Sequence, residues 1–244
     1  MQRYLVILEY DGSGFYGWQN QPNFRTVQGL FEDTVHRATG QNIRCIAAGR
    51  TDRGVHALGQ AVHFDFEEVL DCEALKQRMN FYLKECDLSV LSISYVSQDF
   101  HARYSASLKC YRYQIASRKS PPVFNKKVWW ISASLDFYAM EKAAELLKGT
   151  HDFCAFRSTS CTAETTLRTI DDIKLEKHED LISISFTSRA FLHNQVRIMV
   201  GTLVEIAKER WLADEISKII ESRDRRKAGQ TAPAAGLCLM WIKY

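Results

Sequence analysis

The chain has 244 residues, of which 46% are hydrophobic, so it can bury a substantial core in one or two domains. Its net charge of +3 is too small to diagnose nucleic-acid binding, and its seven scattered cysteines lack the Cys-x-x-Cys pair of a zinc or redox site. The chain shows neither an export leader nor an apolar run of about 18 residues, so we expect a cytoplasmic protein without a membrane span.

The first half of the chain predicts the order strand-helix-strand-strand-helix-strand. An apolar segment over 3–10 predicts the first strand, and Thr26 and Gly40 mark the start and stop of a helix. A strand over 41–48 follows. Alternating apolar residues predict two more strands, through Phe64 and through Ile93, around a helix over about 71–85. This alternation makes His63, next to Phe64, a strand-surface residue rather than a ligand.

The loop after the first strand contains a misleading pattern. Gly12, Gly14 and Gly17 match the dinucleotide fingerprint Gly-x-Gly-x-x-Gly. That fingerprint must open a helix at once, so that a pyrophosphate meets the helix N-terminus, but here 18–22 continues as loop. We therefore expect no nucleotide cofactor.

The second half repeats the order of the first. A strand over 109–116 places Tyr111 and Tyr113 on one face, and Asp136 caps the next helix. Two strands, a long helix, a shorter helix and a last strand follow, around Ile173, Ile184, 196–206, 216–220 and 237–244. We predict an α+β fold of two ferredoxin-like (RRM-like) α/β subdomains, 1–105 and 106–244. Their antiparallel sheets would merge into one wide sheet with a central RNA-binding cleft.

The most informative segment lies between the second and third predicted strands. Residues 47–60 contain three glycines, one carboxylate (Asp52), two arginines and a histidine. On turn chemistry alone, 51–54 is a type I turn with Gly54 in last place. However, the segment joins two apolar strands and sets Asp52 between Arg50 and Arg53, which can bind phosphate. Asp52 is therefore a candidate nucleophile that acts beside a polyanion.

Basic residues also cluster near other predicted loops, and these clusters support an RNA-binding surface. They lie at the junction of the two halves (Arg103, Lys109, Arg112) and before the last strand (Arg223, Arg225, Arg226, Lys227).

A series of segments, taken in order along essentially the whole chain, resembles the motifs of the tRNA pseudouridine synthase A family. The segments are 10–19, 26–29, 49–57, 100–106, 111–113, 149–153, 191–192 with 196–197, and 231–237. The resemblance implies the pseudouridine synthase fold and the isomerisation of uridine to pseudouridine in the anticodon arm of tRNA, at positions 38, 39 and 40. It also implies a cytosolic homodimer that shares each tRNA. Because the implied reaction has no net redox change and consumes no water, we expect that it requires no metal and no cofactor.

The resemblance also implies roles for individual residues. Asp52 matches the nucleophile and Tyr111 the active-site tyrosine, and Arg197 matches the arginine that pairs with the nucleophile. The substrate-binding candidates are Arg50, which is suited to occupy the space of the extruded base, Leu237 as an apolar wall, and Arg53, His56 and Tyr111. The sequence leaves open whether Asp52 attacks C1' of the ribose or C6 of the uracil, and which base removes the C5 proton.

Three segments depart from the family pattern, at 85–87, 193–195 and 207–210. We expect that none of them touches the matched catalytic positions, although they can alter the dimer surface or tRNA contacts. Two alternative functions stay open: a pseudouridine synthase that acts on another RNA, and a non-catalytic RNA-binding protein. The carboxylate of Asp52 argues against the second, because it would repel RNA without benefit to a pure binder.

Overall fold

The computed structural model describes all residues, Met1–Tyr244, and they form two compact units. The first unit comprises Met1–Ser107 and Cys238–Tyr244, and the second comprises Leu108–Leu237. The boundary predicted from the sequence lies at 105/106 and leaves the last strand with the second subdomain. Packing instead assigns Cys238–Tyr244 to the first unit.

The first unit combines a sheet with two helices, which confirms the predicted order of its main elements. These are β1 (Gln2–Tyr10), α1 (Val27–Thr39), β2 (Ile46–Ala47), β3 (His56–Phe66), α2 (Cys72–Leu83), β4 (Leu88–Val96) and, from the end of the chain, β11 (Leu237–Lys243). β1 pairs antiparallel with β3 and β4, β2 pairs antiparallel with β3, and β11 pairs parallel with β3.

The predicted strand over 41–48 was too long, because only Ile46–Ala47 pairs with β3. The amide of Cys45 instead donates a hydrogen bond to the Glu32 carboxylate on α1, at 3.0 Å. Glu32 therefore satisfies the backbone where a neighbouring strand was expected.

Alternate side chains of β1 are buried, among them Tyr4 and Val6. The Tyr4 ring stacks on Phe64 of β3, and Phe31 of α1 meets the same Phe64 edge to face. The opposite face of β3 is also covered, so the expectation of a surface-exposed His63 was wrong. The segment 100–104 lies over His63, which is 3% exposed and accepts a hydrogen bond from the Ala102 amide at Nδ1.

The second unit contains a sheet, a separate two-stranded ribbon and three helices. Its elements are β5 (Leu108–Ser117), β6 (Trp129–Ile131), α3 (Phe137–Glu145), β7 (Gly149–Asp152), β8 (Leu167–Ile170), β9 (Asp172–His178), β10 (Leu181–Ser188), α4 (Gln195–Ala207) and α5 (Glu215–Ser222). β10 pairs antiparallel with β5 and β9, β6 pairs parallel with β5, and β7 and β8 form the ribbon. The α+β class is confirmed. The short strands β6, β7 and β8 were not predicted.

Most of α4 is buried, which explains its nearly continuous apolar sequence. None of the five helices combines the length and apolar character that a membrane crossing requires.

Candidate active site

The segment Gly49–His56, hereafter the signature loop, connects β2 to β3. Buried polar groups hold its first residues in place. Gln60 of β3 donates a hydrogen bond to the Gly49 carbonyl at 2.8 Å, and the hydroxyls of Tyr10 and Thr51 bond to each other at 2.8 Å. Burial raises the pKa of Tyr10 to about 12, so the phenol remains neutral at physiological pH. The base of the loop is thus held by uncharged hydrogen bonds.

Glycines allow a second loop, 11–18, to pack directly against the signature loop. A Cβ on Gly12 would lie 2.1 Å from the Val55 carbonyl oxygen, and Gly17 has a φ of 86°. The Trp18 amide donates a hydrogen bond to the Thr51 carbonyl at 3.0 Å. The segment that resembles a dinucleotide fingerprint forms a 3₁₀ turn over Gly12–Gly14, and the next helix begins only at Val27. Gly12 and Gly17 therefore serve backbone packing between two loops.

The turn that carries Asp52 differs from the expected one by one residue. The Val55 amide donates a hydrogen bond to the Asp52 carbonyl at 3.1 Å, so the turn spans 52–55. Gly54 occupies its third position with a φ of 79°, the angle that a type II turn requires there. Glycine therefore adopts the backbone angle that other residues resist, and Asp52 stands at the start of the turn, partly exposed.

Arg50 and Arg53 are both exposed, and neither forms a salt bridge with a carboxylate. Arg53 lies with its Cζ 4.0 Å from the centroid of the Tyr16 ring. The signature loop thus presents two guanidinium groups whose charges are available to a ligand.

His56, a substrate-binding candidate, is 4% exposed and contacts the 11–18 loop. Its Nδ1 lies 3.0 Å from the Gly12 amide nitrogen and 3.1 Å from a carboxylate oxygen of Asp11. An unprotonated Nδ1 accepts from the amide, whereas a protonated one donates to Asp11. The ring therefore ties the two loops together in either protonation state.

In the second unit, Tyr111 lies on β5 opposite Phe186 of β10 and is partly exposed. Its ring meets Phe191 edge to face, with the centroids 5.4 Å apart and the planes at 89°. Phe191 precedes α4 and belongs to one of the segments that resemble the family motifs. Phe191 therefore packs against the Tyr111 ring.

Arg197, in the first turns of α4, is oriented by two neutral oxygens. Its Nε donates to the Ala232 carbonyl at 2.7 Å, and its Nη1 donates to Oδ1 of Asn194 at 2.9 Å. Asn194 adopts a left-handed conformation, with a φ of 62°, just before the helix. The expectation that the departure at 193–195 touches no matched catalytic position was therefore wrong.

Close backbone packing connects Arg197 to the strand that bears Tyr111. A Cβ on Gly201 would lie 1.8 Å from the Gln230 carbonyl oxygen, so α4 can meet the 229–232 segment only through glycine. The same segment continues to Pro233, whose carbonyl accepts a hydrogen bond from the Tyr113 hydroxyl at 2.7 Å. Leu237 follows at the start of β11 and is buried.

The candidate residues thus fall into two groups. One loop of the first unit carries Arg50, Asp52, Arg53 and His56, and the second unit carries Tyr111, Arg197 and Leu237. Reasoning from the sequence missed the supports of both groups, namely Tyr10, Tyr16, Asn194 and Phe191. Tyr10, Tyr16 and Phe191 lie in segments that resemble the family motifs, but nothing local in the sequence indicates what they contact.

Comparison with known proteins adds to this geometry. A family model described as tRNA pseudouridine synthase matches residues 6–105 and 143–244. Tyr111 falls between these two matched segments, whereas the other candidate residues fall inside them.

Three relatives match this chain over its whole length, including the residues between the two segments of the family model. The tRNA pseudouridine synthase A of Caulobacter sp. is 43% identical over 245 residues, which include all of this chain and 98% of the relative. That of Paramagnetospirillum magneticum is 40% identical, with 100% of this chain and 96% of the relative covered. That of Bartonella tribocorum is 39% identical over 247 residues and the full length of both chains.

Proposed function

This chain belongs to the tRNA pseudouridine synthase family, and on that premise we propose that Asp52 is the nucleophile with which it isomerises uridine to pseudouridine in tRNA. The observation that carries the proposal is the signature loop, in which the partly exposed carboxylate of Asp52 stands between Arg50 and Arg53, two exposed arginines that form no salt bridge of their own. Such a loop can bring a nucleophile to a polyanion while the arginines offset the repulsion.

The reaction requires little beyond these residue types. The N1–C1' bond breaks, the uracil turns, a C5–C1' bond forms, the C5 proton leaves and N1 takes up a proton, with no redox change and no water consumed. Asp52 traps either C1' of the ribose or C6 of the ring, and both routes use the ionised carboxylate. The target base of a stem must be extruded at a cost of a few kcal/mol, and Arg50 would occupy the vacated space.

The second unit contributes the remaining groups of the proposal. Tyr111 stacks on the uracil and takes, or positions the base that takes, the C5 proton. Arg197 supplies the positive charge that the family pattern pairs with the nucleophilic carboxylate. Leu237 provides an apolar wall for the ring. The hydrogen bonds from Arg197 to Ala232 and Asn194 support the role of Arg197, since they hold its guanidinium in one orientation.

The family resemblance supports the finer parts of the proposal, namely uridines 38, 39 and 40 of the anticodon arm as targets and a cytoplasmic homodimer as the active form. The deciding experiment maps pseudouridines in tRNA from cells that lack this protein and from cells complemented with it. We expect pseudouridine to disappear from positions 38–40 and to return on complementation. Loss at other positions, or in another RNA, would point to a synthase of different specificity.

A further inference from the structure

The ring of Tyr16, in the loop before α1, lies between two other side chains. Phe24 stacks on it with the centroids 4.1 Å apart and the planes at 27°, and Cζ of Arg53 lies 4.0 Å from its centroid. Two groups at these distances cannot share one face of a six-membered ring, so they occupy opposite faces. Phe24, Tyr16 and Arg53 therefore form a column that ends in a guanidinium group.

Backbone contacts fix this column relative to Asp52. Arg53 follows Asp52 directly in the chain. A Cβ on Gly17, the residue after Tyr16, would lie 3.1 Å from the backbone nitrogen of Arg53. On the other side, the Tyr16 amide donates a hydrogen bond to the Arg25 carbonyl at 2.8 Å, which ties Tyr16 to the residue after Phe24. The backbone that bears the column is thus packed against the residue that follows the proposed nucleophile.

The column has the features of a binding surface rather than of a core. Tyr16 is 38% and Phe24 46% exposed, and Arg53 is exposed without a carboxylate partner. A cation held against an aromatic ring loses conformational freedom before any ligand arrives. In proteins that bind single-stranded RNA, unpaired nucleobases stack on aromatic rings and on the planes of arginine side chains.

We propose that the column is a base-stacking site, in which the outer side of the Arg53 guanidinium receives the base of the nucleotide next to the target uridine. This proposal rests on the RNA substrate proposed above. When the uridine leaves the stack, the base beside it loses a stacking partner, and Arg53 supplies a replacement one residue from Asp52. Tyr16 holds the guanidinium in place, and Phe24 supports Tyr16.

The test compares Arg53→Lys, which keeps the charge but removes the planar group, with the parent protein. Both are titrated with an anticodon-arm RNA that is intact or carries one abasic nucleotide at each position flanking the target uridine. For the parent, one abasic position should weaken binding about tenfold. Arg53→Lys should bind the intact RNA about tenfold more weakly and should not lose further affinity at that abasic position.

Matched variants control for charge and folding. Arg37→Lys alters another cation–aromatic pair, in which Arg37 of α1 lies 4.5 Å from the Tyr82 ring of α2, and it should bind like the parent. Tyr16→Phe should also bind like the parent, because the column uses the ring and not the hydroxyl. Tyr16→Leu should reproduce the loss seen with Arg53→Lys.

Two results would overturn the proposal. If Arg53→Lys binds normally while Arg53→Gln weakens binding and lowers its salt dependence, Arg53 contacts a phosphate instead. If no abasic position weakens binding to the parent, no flanking base is stacked. Pseudouridine formation by the parent on the intact RNA is measured in parallel, and its absence would count against the proposed function rather than against the stacking site.

Discussion

Two arginine-rich segments of this chain look alike in sequence but differ in structure. In the signature loop, Arg50 and Arg53 are exposed and lack carboxylate partners. In the segment 223–227, Arg226 is bound by both carboxylate oxygens of Asp224, at 2.7–3.0 Å. Arg223 in turn lies 3.0 Å from Asp152.

The difference shows that the density of positive residues is a poor measure of the charge that RNA can use. A phosphate that approaches Arg226 or Arg223 must compete with an intramolecular carboxylate, whereas one that approaches Arg50 meets no such competitor. Arg225 also has neutral partners, the Ala228 carbonyl and the Thr231 hydroxyl. The expectation that 223–227 is a phosphate-binding cluster therefore stays a prediction, and the pairing weakens it.

The largest effect should come from the carboxylate of the signature loop. We expect Asp52→Asn to lower pseudouridine formation by more than about 10³-fold, because an amide cannot form the covalent intermediate. Asparagine has the size and turn preference of aspartate, so the turn over 52–55 should be retained. Binding of tRNA should be at least as tight as in the parent, since a negative charge beside phosphates is removed.

The matched control is Asp33→Asn, which makes the same change of charge at an exposed position of α1. Its turnover should equal that of the parent. Pseudouridine formation and tRNA binding are measured on the same folded preparations. Activity of Asp52→Asn within about tenfold of the parent, a change of only ~1.4 kcal/mol in the barrier, would remove Asp52 from the nucleophile role.

Two tyrosines on one face of β5 provide the next test. Tyr111→Phe retains the ring and removes the hydroxyl, so turnover should fall by about 10²-fold or more if that hydroxyl handles the C5 proton. The affinity of Tyr111→Phe for tRNA should equal that of the parent. Tyr113→Phe instead loses the hydrogen bond to the Pro233 carbonyl and should cost about 1 kcal/mol of unfolding free energy with little effect on turnover. Near-normal turnover of Tyr111→Phe would reduce Tyr111 to a stacking platform.

The support of Arg197 should matter less than the groups that react. Asn194→Gly preserves the positive φ that this position needs and deletes the side chain that accepts from Arg197. We expect turnover to fall by roughly tenfold, a typical loss when a supporting hydrogen bond to a functional group is removed. Thermal unfolding should change little. Unchanged turnover would show that the hydrogen bond to Asn194 is not needed to orient the guanidinium.

Local signals explain which parts of the fold were predictable from sequence. The helix α1 was predicted because Thr26 accepts from the Gly29 amide and Gly40 adopts a φ of 80°, and both roles depend on a few adjacent residues. The strand over 41–48 was overestimated because Glu32, distant in sequence, satisfies the Cys45 amide. His63 was misassigned for the same reason, since the segment that covers it comes from 100–104.

In the candidate site, too, the residues with local signals were predictable and the contacts between residues distant in sequence were not. The signature loop contains its chemistry in consecutive residues, so Asp52, Arg50 and Arg53 were identified from sequence. The contacts that orient these groups join residues far apart in the chain, such as Tyr16 with Arg53 and Tyr10 with Thr51. The pairing of Arg223 with Asp152 is likewise a tertiary contact, which no count of charges can reveal.

Salt dependence tests the comparison of the two arginine-rich segments directly. If Arg50 reaches a phosphate, Arg50→Gln should lower the slope of log affinity against log salt by about 0.7 to 0.9. Arg226→Gln should leave the slope nearly unchanged, because Asp224 already offsets that charge. Equal changes in the two variants would show that the ion pair in 223–227 opens when tRNA binds.

The smallest effect, and the one most specific to the comparison, comes from Asp224→Asn, which should release the charge of Arg226. Hydrogen bonds from Arg226 lower the pKa of Asp224 to about 2. Because the folded-state pKa lies below the ordinary value, the carboxylate stays ionised until the pH approaches 2, and mild acidification cannot break the pair. Substitution of Asp224 removes the pair at any pH.

If the segment lies near bound tRNA, Asp224→Asn should raise the affinity for tRNA roughly twofold at low salt, and the gain should vanish in the double variant Asp224→Asn, Arg226→Gln. A gain that persists in the double variant would come from the lost negative charge alone and not from the released arginine.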